Sequence, residues 1–164
     1  MPVLLRRMTV SLLAAALLAA PLTATSAAVA PAEAHAAAKN GCKVVAKPEA
    51  ASRDFIAAQR KKAKVGAIKH AGDLRDVARD HAMRMCTRDR LYHNPNLTKE
   101  VRNWRSVGEN VGRGTTIDRL NRAFMDSPGH RANVLDKRWT QYGVGVAVNG
   151  QGKVYVVQVY RRHR

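Results

Sequence analysis

Acidic residues are scarce: 12 Asp and Glu stand against 29 Lys and Arg in 164 residues, a formal net charge of +17 at pH 7. Solubility does not require a charge of that size, so acidic partners are expected. Aromatic residues make up only 5% of the chain. None interleaves with the basic residues as in a nucleic-acid module, so a dedicated nucleic-acid reader is not expected. Long apolar runs are absent too. The longest, Val10 to Ala20, is broken only by Ser11 and is too short to cross a hydrocarbon core of about 30 Å as a helix. Cysteine is limited to Cys42 and Cys86, and there are no internal repeats.

What stands at the N-terminus is an export signal. Arg6 and Arg7 precede the Val10–Ala20 run, and small residues rather than a basic stop-transfer cluster follow it, the pattern of a cleaved secretory signal peptide. Ser26-Ala27-Ala28 and Ala34-His35-Ala36 are both cleavable small-x-small sites. With residues 1–36 assigned to the signal, Arg6, Arg7 and Glu33 are lost, and the mature chain keeps 27 Lys and Arg against 11 Asp and Glu. A chain of about 128 residues suits one domain with a modest core and leaves no room for two. Residues 37–50 read as a short mobile tail and residues 51–164 as the domain, with no transmembrane anchor left after processing.

Outside the reducing cytoplasm, a Cys42–Cys86 disulfide is the expected state. Lipid attachment at Cys42 is disfavoured, because Lys39-Asn40-Gly41 lacks the apolar residue such processing needs.

Periodicity predicts a first amphipathic helix over Pro48–Arg60, with Phe55 and Ile56 on its apolar side. A clearer one follows Gly72-Asp73, with Leu74, Val77, Ala78, His81, Ala82 and Met85 at helical spacing. His81 on that stripe reads as a hydrogen-bonded packing residue. Thr87–Gly114 holds two Pro/Asn/Gly clusters and little periodicity, so it reads as a long irregular stretch that carries His93 and Glu109.

Thr115 with Asp118 resembles a capping box for a third helix through Ile117, Leu120 and Phe124. Ser127-Pro128 stops that helix and suits the start of a short one, with His130 in its first turn. Tyr142, Val144, Val146 and Val148 alternate with Gly143, Gly145 and Ala147. After Asn149-Gly150-Gln151-Gly152, Val154–Tyr160 runs back as a β-hairpin. Helices with antiparallel strands make an α+β domain, helices packed on a sheet.

One carboxylate and two imidazoles sit at accessible positions: Glu109, His93 and His130. Such a trio can bind a divalent cation, zinc first, with an open coordination position. The N-terminus of a helix disfavours imidazolium, so His130 is expected to stay neutral and ligand-competent. No nucleophile stands out. Ser127 reads as a helix cap, Ser106 three residues before Glu109 is a weak candidate, and both cysteines are spent on the disulfide. Hydrolysis would have to use metal-bound water, with Glu109 as base.

The local contexts are Tyr92-His93-Asn94, Val107-Gly108-Glu109-Asn110-Val111, Phe124-Met125-Asp126-Ser127-Pro128-Gly129-His130-Arg131-Ala132-Asn133-Val134-Leu135 and Tyr142-Gly143-Val144-Gly145-Val146, in that order. Together they resemble the bacterial branch of the CAP superfamily, named for cysteine-rich secretory proteins, antigen 5 and pathogenesis-related 1 proteins. The resemblance covers roughly residues 51–160. It implies an α-β-α sandwich with an antiparallel sheet between helix layers, and a cleft in which the family's histidines fall on His93 and His130 and its glutamate on Glu109. The second glutamate that many members supply from the third helix is missing, Asp126 is a weak substitute, and Phe124 stands where the bacterial pattern often has tryptophan. Arg131 and Asn133 read as scaffold residues, and Glu109 and Asn110 as either functional or bracing.

Three functions follow as expectations. The first is an extracellular binding module whose cleft holds a divalent cation or small ligand. The second is a metal-dependent peptidase or nuclease using the same cleft. The third is a basic surface protein held by anionic wall polymer or lipid head groups.

Overall fold

The computed structural model describes residues 40–164; the signal segment and both candidate cleavage sites lie outside the described residues. In chain order the elements are β1 (Lys43–Val44), α1 (Ala46–Lys62), β2 (Lys69–His70), α2 (Gly72–Thr87), α3 (Leu97–Glu100), β3 (Trp104–Gly114), α4 (Ile117–Asp126), α5 (Pro128–Leu135), β4 (Gln141–Val148) and β5 (Val154–His163).

The apolar stripe of α2 forms as its spacing predicts: Leu74, Ala78, His81, Ala82 and Met85 are all fully buried. That stripe lies on a sheet ordered β1-β4-β5-β3. β4 pairs antiparallel with β5, and β5 antiparallel with β3. The short β1 and β2 share the outer side of β4, β1 opposite Ala147 and Val148 and the parallel β2 opposite Gln141 and Tyr142. Alternation then gives the sheet two apolar faces. Ala147, Tyr155, Val157 and Val159 pack with α2. Val144, Val146, Val156 and Tyr160 pack with Ile56, Leu120, Phe124 and Val134 of α1, α4 and α5. Helix layers on both faces make the α-β-α sandwich.

Gly143 and Gly145 explain how closely α2 approaches. A Cβ on Gly143 would stand 2.2 Å from the carbonyl carbon of Leu74 and the amide nitrogen of Arg75; one on Gly145 would meet Arg79 N at 2.2 Å and Ala78 C at 2.3 Å. Glycines two apart on one sheet face thus meet consecutive turns of the helix, backbone against backbone. The hairpin turn is held by Asn149, whose Oδ1 accepts from the amides of Gln151 (3.1 Å) and Lys153 (2.8 Å).

Three expectations need correction. Residues 40–50 are not a tail: Cys42 is bonded to Cys86, Lys43 and Val44 join the sheet, and α1 starts at Ala46, so the fold begins before Ala51. The face of α1 is also less apolar than Phe55 and Ile56 suggest. Ile56 is buried beside Glu49, Ser52 and Arg60, whereas Phe55 is half-buried. Each buried polar group has partners, as burial demands. Glu49 takes a bidentate pair from Arg79 at 2.8 and 2.6 Å, and Arg60 donates to the carbonyls of Gly66, Val134 and Asp136. Finally, the second half of the expected irregular stretch is the strand β3, eleven residues laddered to β5.

Candidate functional site

Glu109 therefore sits on a strand, with its side chain on the α2 face of the sheet opposite Val159. The loop between α2 and α3 brings His93 over it. His93 Nδ1 lies 2.7 Å from Glu109 Oε2, and the amide of Asn94 donates to the same oxygen at 3.0 Å. The carboxylate is sheltered and the imidazole open, with side-chain exposures of 3% and 66%. A carboxylate oxygen can only accept from the ring, so Nδ1 carries the proton at this contact. The second carboxylate oxygen, Oε1, is buried with no partner among the described residues.

On the neighbouring face Asn110 does the bracing. Its Nδ2 donates to the His130 carbonyl and to Gln158 Oε1, both at 3.1 Å, while Asn133 Nδ2 donates to Asn110 Oδ1 at 2.9 Å and to the Glu109 carbonyl at 3.1 Å. The network continues from Gln158 Nε2 to Ser52 Oγ and from Ser52 Oγ to Asn121 Oδ1. α5 is thereby tied to the edge strand β3, and His130 to the same edge as Glu109. Its ring stands 5.0 Å from that of Phe124. Burial lowers the pKa of His130, and the nearby His93 lowers it further. The neutral state expected from its place in the first turn is thus favoured by desolvation and by a second imidazole.

The remaining candidates separate cleanly. Asp126 is exposed at the end of α4, with no contact to His93, Glu109 or His130 among the described residues. No group of three or more His, Cys, Asp or Glu side chains among the described residues is gathered as a metal site, so the structure joins Glu109 to His93 without making the trio a single three-ligand cluster. Ser127 occupies the cap position of α5, but its side chain makes no capping bond. Thr116, not Thr115, caps α4, accepting from the Arg119 amide at 3.3 Å.

Arg131 donates to the Met125 carbonyl, a scaffold contact like those of Asn133. His81 Nε2 lies 2.8 Å from the Tyr92 carbonyl, which makes it a packing residue that steadies the loop before His93. Sequence reasoning missed Asn94 as a functional contact. Its backbone amide binds Glu109, and its side chain donates to Glu100 at 2.8 Å. Asn94 directly follows His93, so its place in the Tyr-His-Asn triplet was the available signal.

Over residues 53–160 the sequence matches the CAP family, the cysteine-rich secretory protein family. The chain belongs to that family. No curated protein sequence matches it closely. Among solved structures, the CAP chain resembles an outer surface protein of Borrelia burgdorferi at 15% identity and a TM-score of 0.68, over 74% of this chain and 98% of that one. It also resembles an extracellular protein containing an SCP domain from Bacillus anthracis (21%, TM-score 0.63, 71% of this chain and 40% of that one). A third likeness is to venom allergen-like protein 4 of Schistosoma mansoni (16%, TM-score 0.61, 73% and 91%). At such identities these likenesses establish the fold of the CAP chain, and no helix among its described residues is long and apolar enough to cross a membrane.

The histidines make a pH prediction. Burial lowers the pKa of His81 and of His70, the latter with help from Arg53 and Arg75. A folded-state pKa below the unfolded value of about 6.5 means that the unfolded chain takes the proton first as pH falls. The full contribution is therefore present above pH 6.5 and is lost on acidification through that range. The melting temperature should drop between pH 7 and pH 5, and His81→Gln should flatten that dependence; a flat profile in the native protein would contradict the assignment.

Proposed function

We propose that this protein is an exported binding module of the CAP family whose cleft takes a divalent cation, zinc first, on His93 Nε2 and the His130 imidazole. The observation that supports this most directly is the Glu109–His93 hydrogen bond. A buried carboxylate that fixes the proton on Nδ1 leaves Nε2 outward as a ligand atom, the usual arrangement behind metal-binding histidines. Glu109 is then a positioning residue. Its Oε2 is already shared by the His93 ring and the Asn94 amide, which argues against its use as a general base. Two imidazoles make an open site, completed by water or by donor groups of a bound ligand.

Zinc titration calorimetry on the mature domain at neutral pH tests this. One-to-one heat is expected, lost in the His93→Ala/His130→Ala double variant and weakened about 10- to 100-fold in Glu109→Gln, the range for losing an outer-shell partner. No heat from a folded protein would retire the cation reading. Unchanged affinity in Glu109→Gln would retire the positioning role alone.

A further inference from the structure

A cavity beside the end of α1 takes no part in the histidine cleft. It holds about 390 Å³ between the C-terminal half of α1 and the segment 63–68 that leads into β2, and Ile56, Ala57, Val65 and Ile68 give it apolar walls. Small-molecule pockets of roughly 300–1,000 Å³ pair such walls with a few placed polar groups. Here the polar side chains of the lining are Arg60, Lys61 and Tyr142.

Arg60 and Tyr142 are only 2% and 7% exposed, yet neither is fully matched. A guanidinium has five N–H donors. Arg60 spends four hydrogen bonds, one from Nε, two from Nη1 and one from Nη2, on the carbonyls of Gly66, Val134 and Asp136. One Nη2 hydrogen is left over, and every acceptor is a neutral carbonyl. Arg161, also buried, is paired with Asp73, whereas Arg60 has no ion pair among the described residues and the Asp136 carboxylate is taken by Arg138. Buried charges are normally paired, because the interior leaves a lone one uncompensated. Tyr142 packs its ring edge-on against His70 at 5.5 Å, but its hydroxyl makes no hydrogen bond among the described residues.

We infer that this cavity is a ligand site for a compact hydrophobic carboxylate, one or two rings in size, with its body on Ile56, Val65 and Ile68 and its carboxylate on Arg60 and Tyr142. The carboxylate supplies the counter-charge that Arg60 lacks, through charge-assisted hydrogen bonds about twice as strong as neutral ones. Two unspent donors match its two oxygens; a phosphate would bring more acceptors than the cavity has donors for. Of the charges nearest the Tyr142 hydroxyl, Arg53 and Asp54 oppose each other, so Arg60 and the exposed Lys61 set the sign. The site does not depend on cation binding by His93 and His130.

Naphthoate is the probe, titrated into the mature protein with a chelator present and followed by amide chemical shifts and calorimetry. One-to-one saturation is expected, with a dissociation constant on the order of 1 mM or tighter for a ligand of this size and the largest shifts at Ile56, Val65, Ile68 and Tyr142. Arg60 also braces the segment 63–68, so its charge is tested from the ligand's side. Naphthamide, neutral and of the same shape, should bind at least about tenfold more weakly. Tyr142→Phe removes only the unpartnered hydroxyl and should cost about three- to tenfold. Ala57→Phe should fill the cavity and abolish binding, whereas Ala58→Phe, at the next position of α1 and outside the lining, should leave it unchanged. Melting temperatures matching wild type keep loss of fold from passing as loss of binding. No saturable shifts from the folded protein, naphthamide binding as tightly as naphthoate, full affinity in Tyr142→Phe, or equal behaviour of the two phenylalanine variants would each overturn the proposal.

Discussion

Gly145→Ala is expected to destabilise the domain by about 3–5 kcal/mol, a large share of the 5–15 kcal/mol typical of a folded domain. A methyl group there would lie 2.2 Å from Arg79 N and 2.5 Å from Ala78 O. These are backbone atoms inside a helix, so no side chain can rotate away. The whole of α2 would have to lift off β4, opening its contacts with Tyr155, Val157 and Val159. Overpacking against side chains typically costs about 1–3 kcal/mol; a clash with rigid backbone should exceed that. Gly129→Ala is the control. It lies in the first turn of α5 with nothing within 4 Å of an added Cβ, so it should be neutral or slightly stabilising. Urea unfolding midpoints for the two variants decide the matter, and a Gly145→Ala midpoint equal to wild type would mean that the helix does not ride on these glycines.

Loss of the Cys42–Cys86 bond should be the second large effect. The bond closes a loop with a sequence separation of 44, and the chain-entropy relation assigns such a loop about 4 kcal/mol. It also anchors the segment that adds β1 to the sheet, where the Val45 amide donates to Val146 O at 3.0 Å and the Gly150 amide to Asn40 O at 2.8 Å. Cys42→Ser should therefore lower the unfolding midpoint by about that much and speed hydrogen exchange at Val45 and Gly150. The interior of β5 should stay protected until global unfolding. Identical midpoints with and without a reductant would show that the sheet holds the segment without help.

How far the sequence could be read depended on the element. α2 and the β4–β5 hairpin were legible because each buries one face with a clean period, 3.6 in the helix and 2 in the strands. The break between α4 and α5 was legible from Ser127-Pro128. β3 was not, since its interior alternates Val107, Glu109 and Val111 with Gly108, Asn110 and Gly112. The small residues on the second face make room for Trp139 and Phe124, whose rings would stand 2.9 Å from a Cβ on Gly108 and Gly112. Without bulky apolar residues on that face, the strand reads as a loop. β1 and β2, two residues each, are too short to carry any period.

For the candidate residues His93, Glu109 and His130, the local sequence could not show which of them would meet. The sequence alone determined what depends on composition and on near neighbours in the chain: the charge, the helix and hairpin periods and the motifs that mark the family. Tertiary structure decided which polar groups meet: His93 with Glu109 across 16 residues, Asn110 with Gln158 across 48, and Ser52 with Gln158 across 106. The physical reason is that a buried donor or acceptor must find a partner wherever packing brings one, and packing joins residues that no local stretch of chain contains together.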